Sequence, residues 1–222
     1  MENIEWLINA STWIIPVVTA IILHEVAHGY AALCFGDNTA KHMGRLTLNP
    51  FVHADKVGTI IMPAILVLMK SPVVFGYAKP VPVDFNSLSP LRFGTICVAL
   101  AGPFTNLILA IMAGFMLHID YFIPLEQAPW LFKNLANMMV INCVLMVFNL
   151  LPILPLDGGR VLTALISRKP HIWFEKLDTK GMAVVLLLLF VPGVLGYNFI
   201  NIIVGIPTFW IFEKLLWLTG NA

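Results

Sequence analysis

Residues 23–36 read LHEVAHGYAALCFG and close a long apolar run that begins near Ile4. His24, Glu25 and His28 sit together inside this run. An acidic side chain near the middle of a membrane helix costs roughly 2.5–3.5 kcal/mol on insertion scales, so three ionisable groups here require compensation. His24 and His28 are four residues apart, which on a helix puts them on one face, where both reach one ion. Glu25 follows the first of them and is turned away from direct ligation. That leaves it free to act as general base toward a water that the ion activates.

The rest of the chain sets the surroundings of that motif. Of 222 residues, 59% are hydrophobic and 11% are charged, less than half the charged share of about 25% in soluble domains. This is the composition of an integral membrane protein, with very little left for an additional soluble domain. The formal net charge is +1 and no basic block occurs, so no nucleic-acid partner is expected. Cys34, Cys97 and Cys143 lack metal-like or redox-like spacing and read as core thiols without a disulfide. The opening MENIEWLINA has no Lys or Arg, unlike the n-region of a signal peptide, so the first helix is expected to be retained.

Apolar stretches at 10–36, 57–70, 93–118, 130–151, 182–196 and 199–218 predict an all-α polytopic membrane protein with about 5–6 membrane segments. A full span needs about 20 residues. The stretch 57–70 has 14, bounded by Lys56 and Lys70, and is expected to dip into the membrane and return. With the N-terminus outside, 12 of the 13 Lys and Arg residues, Lys214 among them, then fall on the cytoplasmic side, leaving Lys133 outside. The stretches 182–196 and 199–218, split by VPGVLGYN, are expected to form a tight helical hairpin. The loops 41–56 and 73–91 carry turn signals and short alternating runs, Leu46 with Leu48 and then Val81, Val83 and Phe85. They read either as short strands or as two ordinary cytoplasmic loops, and Pro80 and Pro82 confine the second run to an edge strand or a loop.

A catalytic zinc takes three protein ligands and keeps one open position. The remaining His and acidic residues fall in loops or at the far ends of segments, except Asp157 in NLLPILPLDGGRVL. The predicted topology puts Asp157 at the cytoplasmic end of the fourth span, on the same side as His24 and His28. Zinc with Asp157 and Glu25 sums to zero charge, which turns costly isolated charges into one neutral coordinated group. The residues thus read as a membrane-embedded zinc hydrolase. The alternative is a membrane zinc transporter, which should add polar residues along a path to the far side; His118 and Asp120 are nearly all this sequence offers there.

HEVAH at 24–28, AGPFTN at 101–106 and NLLPILPLDGG at 149–159 together resemble the site-2 protease family of intramembrane zinc metalloproteases, over about Thr19–Arg160. The chain looks like a small prokaryote-type member without PDZ or CBS domains. That implies one membrane-embedded domain over 1–222, with a catalytic core at about 10–160 and a helical hairpin at about 182–219. The resemblance implies one Zn2+ held by His24, His28 and Asp157, with Glu25 as general base. It implies a substrate that is a membrane protein with a transmembrane segment, cut in the cell membrane by a site toward the cytoplasmic side. Asn106 matches the polar residue of the family's third-segment motif. It either donates to the scissile carbonyl or oxyanion, or makes a helix–helix hydrogen bond. Gly102 and Pro103 are expected to permit close packing, and Asn149 and Pro152 to break the fourth helix ahead of Asp157. Gly158 and Gly159 are expected to let the backbone turn, and Arg160 to anchor at the interface or pair with Asp157. The resemblance also implies a small membrane-associated β element, supplied by GRLTLNP and YAKPVPV, whose strand edge would receive an unwound substrate.

Overall fold

The computed structural model describes residues 2–68, 76–167, 170, 181, 184–185, 187 and 199–221. The helices are α1 (Glu2–Cys34), α2 (Thr39–His42), α3 (Pro50–His53), α4 (Met62–Leu68), α5 (Leu91–Met116), α6 (Pro129–Asn149), α7 (Asp157–Ile166) and α8 (Ile206–Leu218). Wide π-type turns at Lys56–Ile61 and Asn201–Gly205 lead into α4 and α8.

Four helical stretches among the described residues are long and apolar enough to cross a membrane: Leu7–Cys34, Leu91–Tyr121, Pro129–Asn149 and Asn201–Leu218. At 1.5 Å per residue α6 spans roughly 32 Å, close to the ~30 Å hydrocarbon core of a bilayer. Ile14, Phe104 and Phe209 are each about 60% exposed, as lipid-facing side chains are. Among the described residues the helical turns from Lys56 to Leu68 cover 13 residues. The end of the expected 57–70 segment and most of the expected 182–196 arm lie outside the described residues.

Helices α1, α5 and α6 pack through small residues. Ala20, Ala99, Ala110 and Ala113 are all essentially buried and let the backbones approach. The start of α1 lies beside the start of α6: Trp130 Nε1 donates to Ser11 Oγ at 2.9 Å, and Asn137 Nδ2 to Thr12 Oγ1 at 2.9 Å. The two helices therefore run in one direction, with α5 returning between them.

Helix α8 corrects one sequence expectation. Val204, just before it, packs on Met146 and Val147 near the end of α6, whereas Leu215 packs with Ala110, Ala113 and Met139. Beyond the helix, Asn221 Nδ2 donates to Gly114 O and His118 meets Thr219 O. Helix α8 thus runs against α6. Lys214 sits in the half that approaches the His118 end, away from Asp157, rather than on the Asp157 side as expected from charge counting.

No regular strand occurs among the described residues, so the expected β element is not formed there. The chemistry of 79–84 explains why. Pro80 and Pro82 remove two of the N–H groups a ladder needs. Lys79 N donates to the His53 carbonyl at 2.8 Å, and side chains take other groups: Arg45 Nη2 donates to Lys79 O at 2.7 Å and Pro80 O at 3.2 Å, and Asp84 N donates to Asp37 Oδ2 at 2.8 Å. The segment is a strap tied down by side chains.

Asp157 does not end the fourth span. Helix α6 stops at Asn149, whose Nδ2 donates back to Leu145 O at 3.0 Å, and a turn-rich stretch follows. Asp157 opens the separate helix α7, an N-terminal position that favours a carboxylate. Gly158 and Gly159 lie within that helix and serve space rather than turning. A Cβ on Gly158 would stand 2.2 Å from Leu150 O, and one on Gly159 2.4 Å from the Ile153 carbonyl carbon.

Candidate metal centre

Helical spacing on α1 carries His24 and His28 to the same face, one turn apart, and both rings are buried. Their Nε2 atoms lie 3.0 Å apart. Asp157 Oδ2 lies 3.3 Å from His24 Nε2 and 3.4 Å from His28 Nε2. The three residues form a buried cluster whose ligand atoms all lie within 4.8 Å of one another. Ligands at 2.0–2.1 Å from a tetrahedral ion stand about 3.3–3.4 Å from each other. The observed triangle has nearly the size of one face of such a tetrahedron.

The opposite ring nitrogens fix which edge of each imidazole looks inward. His24 Nδ1 faces Asn106 Oδ1 at 2.6 Å, and His28 Nδ1 faces the Val98 carbonyl at 2.7 Å. Both partners only accept, so each Nδ1 donates its proton and each Nε2 offers a lone pair inward. Asp157 Oδ2 is buried with no hydrogen-bond partner. Three acceptors converging at these distances need a positive centre among them. The donor set, two imidazoles and one carboxylate, suits zinc.

Gly102 makes room for the rings. A Cβ there would come within 2.4 Å of His28 Nε2 and 2.6 Å of His24 Nε2. The expectation of close packing at Gly102 holds, but the neighbours are the imidazoles themselves.

Asn106 is fully buried and its amide is occupied. Nδ2 donates to Asn142 Oδ1 at 2.7 Å and to Ala20 O at 3.4 Å, while Oδ1 accepts from His24. With one amide proton on Asn142 and the other only loosely held by Ala20 O, the expected donor role finds no support in this arrangement. The helix–helix hydrogen bond is formed, and it reaches a ligand. Sequence reasoning passed over Asn142, although an amide in the middle of the apolar run VINCVLMVF is itself a signal.

Glu25 is half-buried beside the centre. Its Oε2 accepts the Val81 backbone N–H at 2.7 Å, the one amide between Pro80 and Pro82. Sequence reasoning missed this contact and the buried Arg45 behind it. Arg160 does not pair with Asp157 in the expected way; its guanidinium stacks 5.1 Å from the centre of the Phe85 ring. An open cleft of about 350 Å3 runs along the same helix, lined by Leu23, Val26, Ala27 and Tyr30, and opposite them Leu46, Thr47, Leu48 and Thr105.

The chain is similar to known proteins along most of its length. The family model described as Peptidase family M50 matches residues 117–192, which include Asp157. Two proteins named "Putative zinc metalloprotease" match more widely. YwhC of Bacillus subtilis (strain 168) is 37% identical over 183 residues, covering 81% of this chain and 80% of the relative. Rip2 of Mycolicibacterium smegmatis is 25% identical over 198 residues, covering 89% and 69%. "Zinc metalloprotease MJ0392" of Methanocaldococcus jannaschii is 24% identical over 205 residues, covering 89% of this chain and 48% of the relative. No solved structure is a significant match. With four membrane-length helices, a buried metal-ligand triad and a relative of this identity and coverage, the chain belongs to peptidase family M50.

Proposed function

We propose that this protein is an intramembrane zinc metalloprotease that hydrolyses peptide bonds within or near transmembrane segments of membrane proteins. The observation that carries the reading is the buried His24–His28–Asp157 triangle in a protein of membrane-length helices, with an open apolar cleft along another face of α1. Family membership makes the chain a zinc-dependent protease rather than a transporter, and its relatives carry zinc metalloprotease names. We place the protein as a multi-pass chain in the cell membrane, as one catalytic domain, with its site toward the cytoplasmic side.

His24, His28 and Asp157 would hold the ion. Zinc supplies a Lewis acid for water and for the scissile carbonyl. Glu25 accepts the proton of the attacking water on the carboxylate oxygen that Val81 leaves free, and hands it to the leaving amine. The strap fixes the carboxylate while this happens. The 46–48 segment lines the cleft and presents an irregular edge along which an unwound substrate peptide lies; this keeps the expected role of GRLTLNP without requiring a sheet.

The test uses detergent-purified wild type and Glu25→Gln, a transmembrane peptide with a helix-breaking centre, and metal analysis. Both proteins should hold about one zinc per chain, and only wild type should cleave, with a chelator stopping it. Cleavage by Glu25→Gln at the wild-type rate overturns the assignment of the base. Zinc binding without cleavage by either protein, together with zinc flux into vesicles, returns the transporter.

A further inference from the structure

We propose that Asn142, on α6, is a positioning residue that selects the ring tautomer of His24 in which Nε2 is free to bind metal. The inference rests on the reading of His24, His28 and Asp157 as a zinc site. It concerns a residue with no contact to that site.

The two histidines are oriented by different means. His28 Nδ1 faces a backbone carbonyl, Val98 O, at 2.7 Å. A carbonyl accepts and cannot be turned around, so the His28 tautomer is settled by the helix itself. His24 Nδ1 faces the side-chain amide of Asn106. An amide can rotate by half a turn and then present NH2 instead of oxygen. In that orientation His24 Nδ1 must carry a lone pair, and the ring proton moves to Nε2. The proton would then point at His28 Nε2 and Asp157 Oδ2, where the ion belongs. Something has to fix Asn106.

Asn142 does so through a short relay. Its Nδ2 donates to Met138 O at 2.8 Å, a backbone carbonyl that only accepts. That contact forces Asn142 Oδ1 toward Asn106, at 2.7 Å from Asn106 Nδ2. Asn106 must therefore show its oxygen to His24, at 2.6 Å. Each link has one donor and one acceptor, and the fixed end is a helix carbonyl. Asn106 and Asn142 are both 0% exposed, so bulk water does not replace either partner. The second Asn106 contact, to Ala20 O, is 3.4 Å long and too weak to hold the amide alone. The relay joins all three packed helices, from Met138 on α6 through Asn106 on α5 to His24 on α1.

The experiment measures zinc affinity by chelator competition on the full chain in detergent, which needs no substrate. Asn142→Leu keeps the volume and removes the acceptor; its zinc affinity should fall about tenfold or more, as for other outer-shell partners of a metal-bound His. Adding Asn106→Asp should restore the affinity, because a carboxyl group offers His24 an acceptor whichever way it is turned. A packing defect would not be repaired that way. The proposal is overturned if Asn142→Leu binds zinc as tightly as wild type, or if the double variant stays as weak as the single one. If Asn142→Leu does not fold, Asn142→Val removes the same acceptor and carries the same two outcomes. Failure of wild type itself to bind zinc would overturn the metal site, a separate result.

Discussion

The carboxylate oxygen Oε2 of Glu25 accepts the backbone N–H of Val81 at 2.7 Å, across 56 residues of chain. A carboxylate anchored by one oxygen has the direction of its other oxygen set. The anchor is itself held, because Arg45 binds the carbonyls of Lys79 and Pro80 immediately before Val81. Arg45 is 6% exposed, so this cation is spent inside the protein on two neutral carbonyls. Such a buried guanidinium needs a reason, and the orientation of Glu25 supplies one.

Replacing Arg45 by Met keeps much of the apolar stem and removes the strap's tether. General-base catalysis contributes about 10²–10⁴ in rate, and a loosened base should lose roughly a tenth to a half of that on a logarithmic scale. Zinc content should stay that of wild type. Cleavage rates measured beside metal content check this, and an unchanged rate would mean that Val81 holds Glu25 without help from Arg45.

Gly102→Ala places a methyl group within 2.4–2.6 Å of both imidazoles. Alanine favours the helix, so α5 should persist while the rings are pushed off the triangle. Zinc stoichiometry should collapse with helical circular dichroism unchanged. Normal zinc loading would show that the rings can give way and still meet the ion.

Gly159→Ala drives a Cβ against the backbone of Ile153 and Leu154, both within 2.4 Å. Backbone cannot step aside as a flexible side chain can, so the cost should reach the upper part of the ~1–3 kcal/mol range for overpacking. Thermal unfolding should show a lower midpoint, and zinc affinity should fall as well because Asp157 starts the same helix.

Asn137→Leu tests a polar contact far from the chemistry. Asn137 Nδ2 donates to both the carbonyl and the hydroxyl of Thr12, at 3.2 and 2.9 Å. Interhelical hydrogen bonds in membranes contribute about 0.6 kcal/mol and at most about 1.7. A small loss of stability with unaltered zinc binding and cleavage is expected. A large loss of activity would instead give this outer polar seam a part in the reaction.

The seam bears on the transporter alternative too. The far side of the protein has more polar side chains than His118 and Asp120, since Thr12, Asn134 and Asn137 lie there. Asn137 is tied to Thr12, and Asn134 Nδ2 donates to Trp130 O, so these groups join helices or cap local turns.

What the sequence by itself determined is local in nature. Composition required a membrane environment, and the four-residue spacing of His24 and His28 placed two ligands on one helix face. Few other intramembrane ionisable groups remained, so Asp157 stood out 129 residues after His28. Period and charge cost are properties of short stretches, readable without knowing what packs where. The tertiary structure decided the rest. That Asn106 bonds to His24 and to Asn142, 36 residues away, appears only once the helices are packed, and the strap's failure to form a strand depends on Arg45 and Asp37 reaching it from other loops. Gly102 changed from a packing residue to a neighbour of the imidazoles only when α5 was laid against α1. Lys214 moved to the other end because α8 packs antiparallel to α6, a choice made by contacts with Met146, Met139 and Gly114 rather than by charge. A hydrogen bond between distant segments leaves no periodic trace along the chain, because its partners are chosen by the packing of helices whose own patterns permit several arrangements.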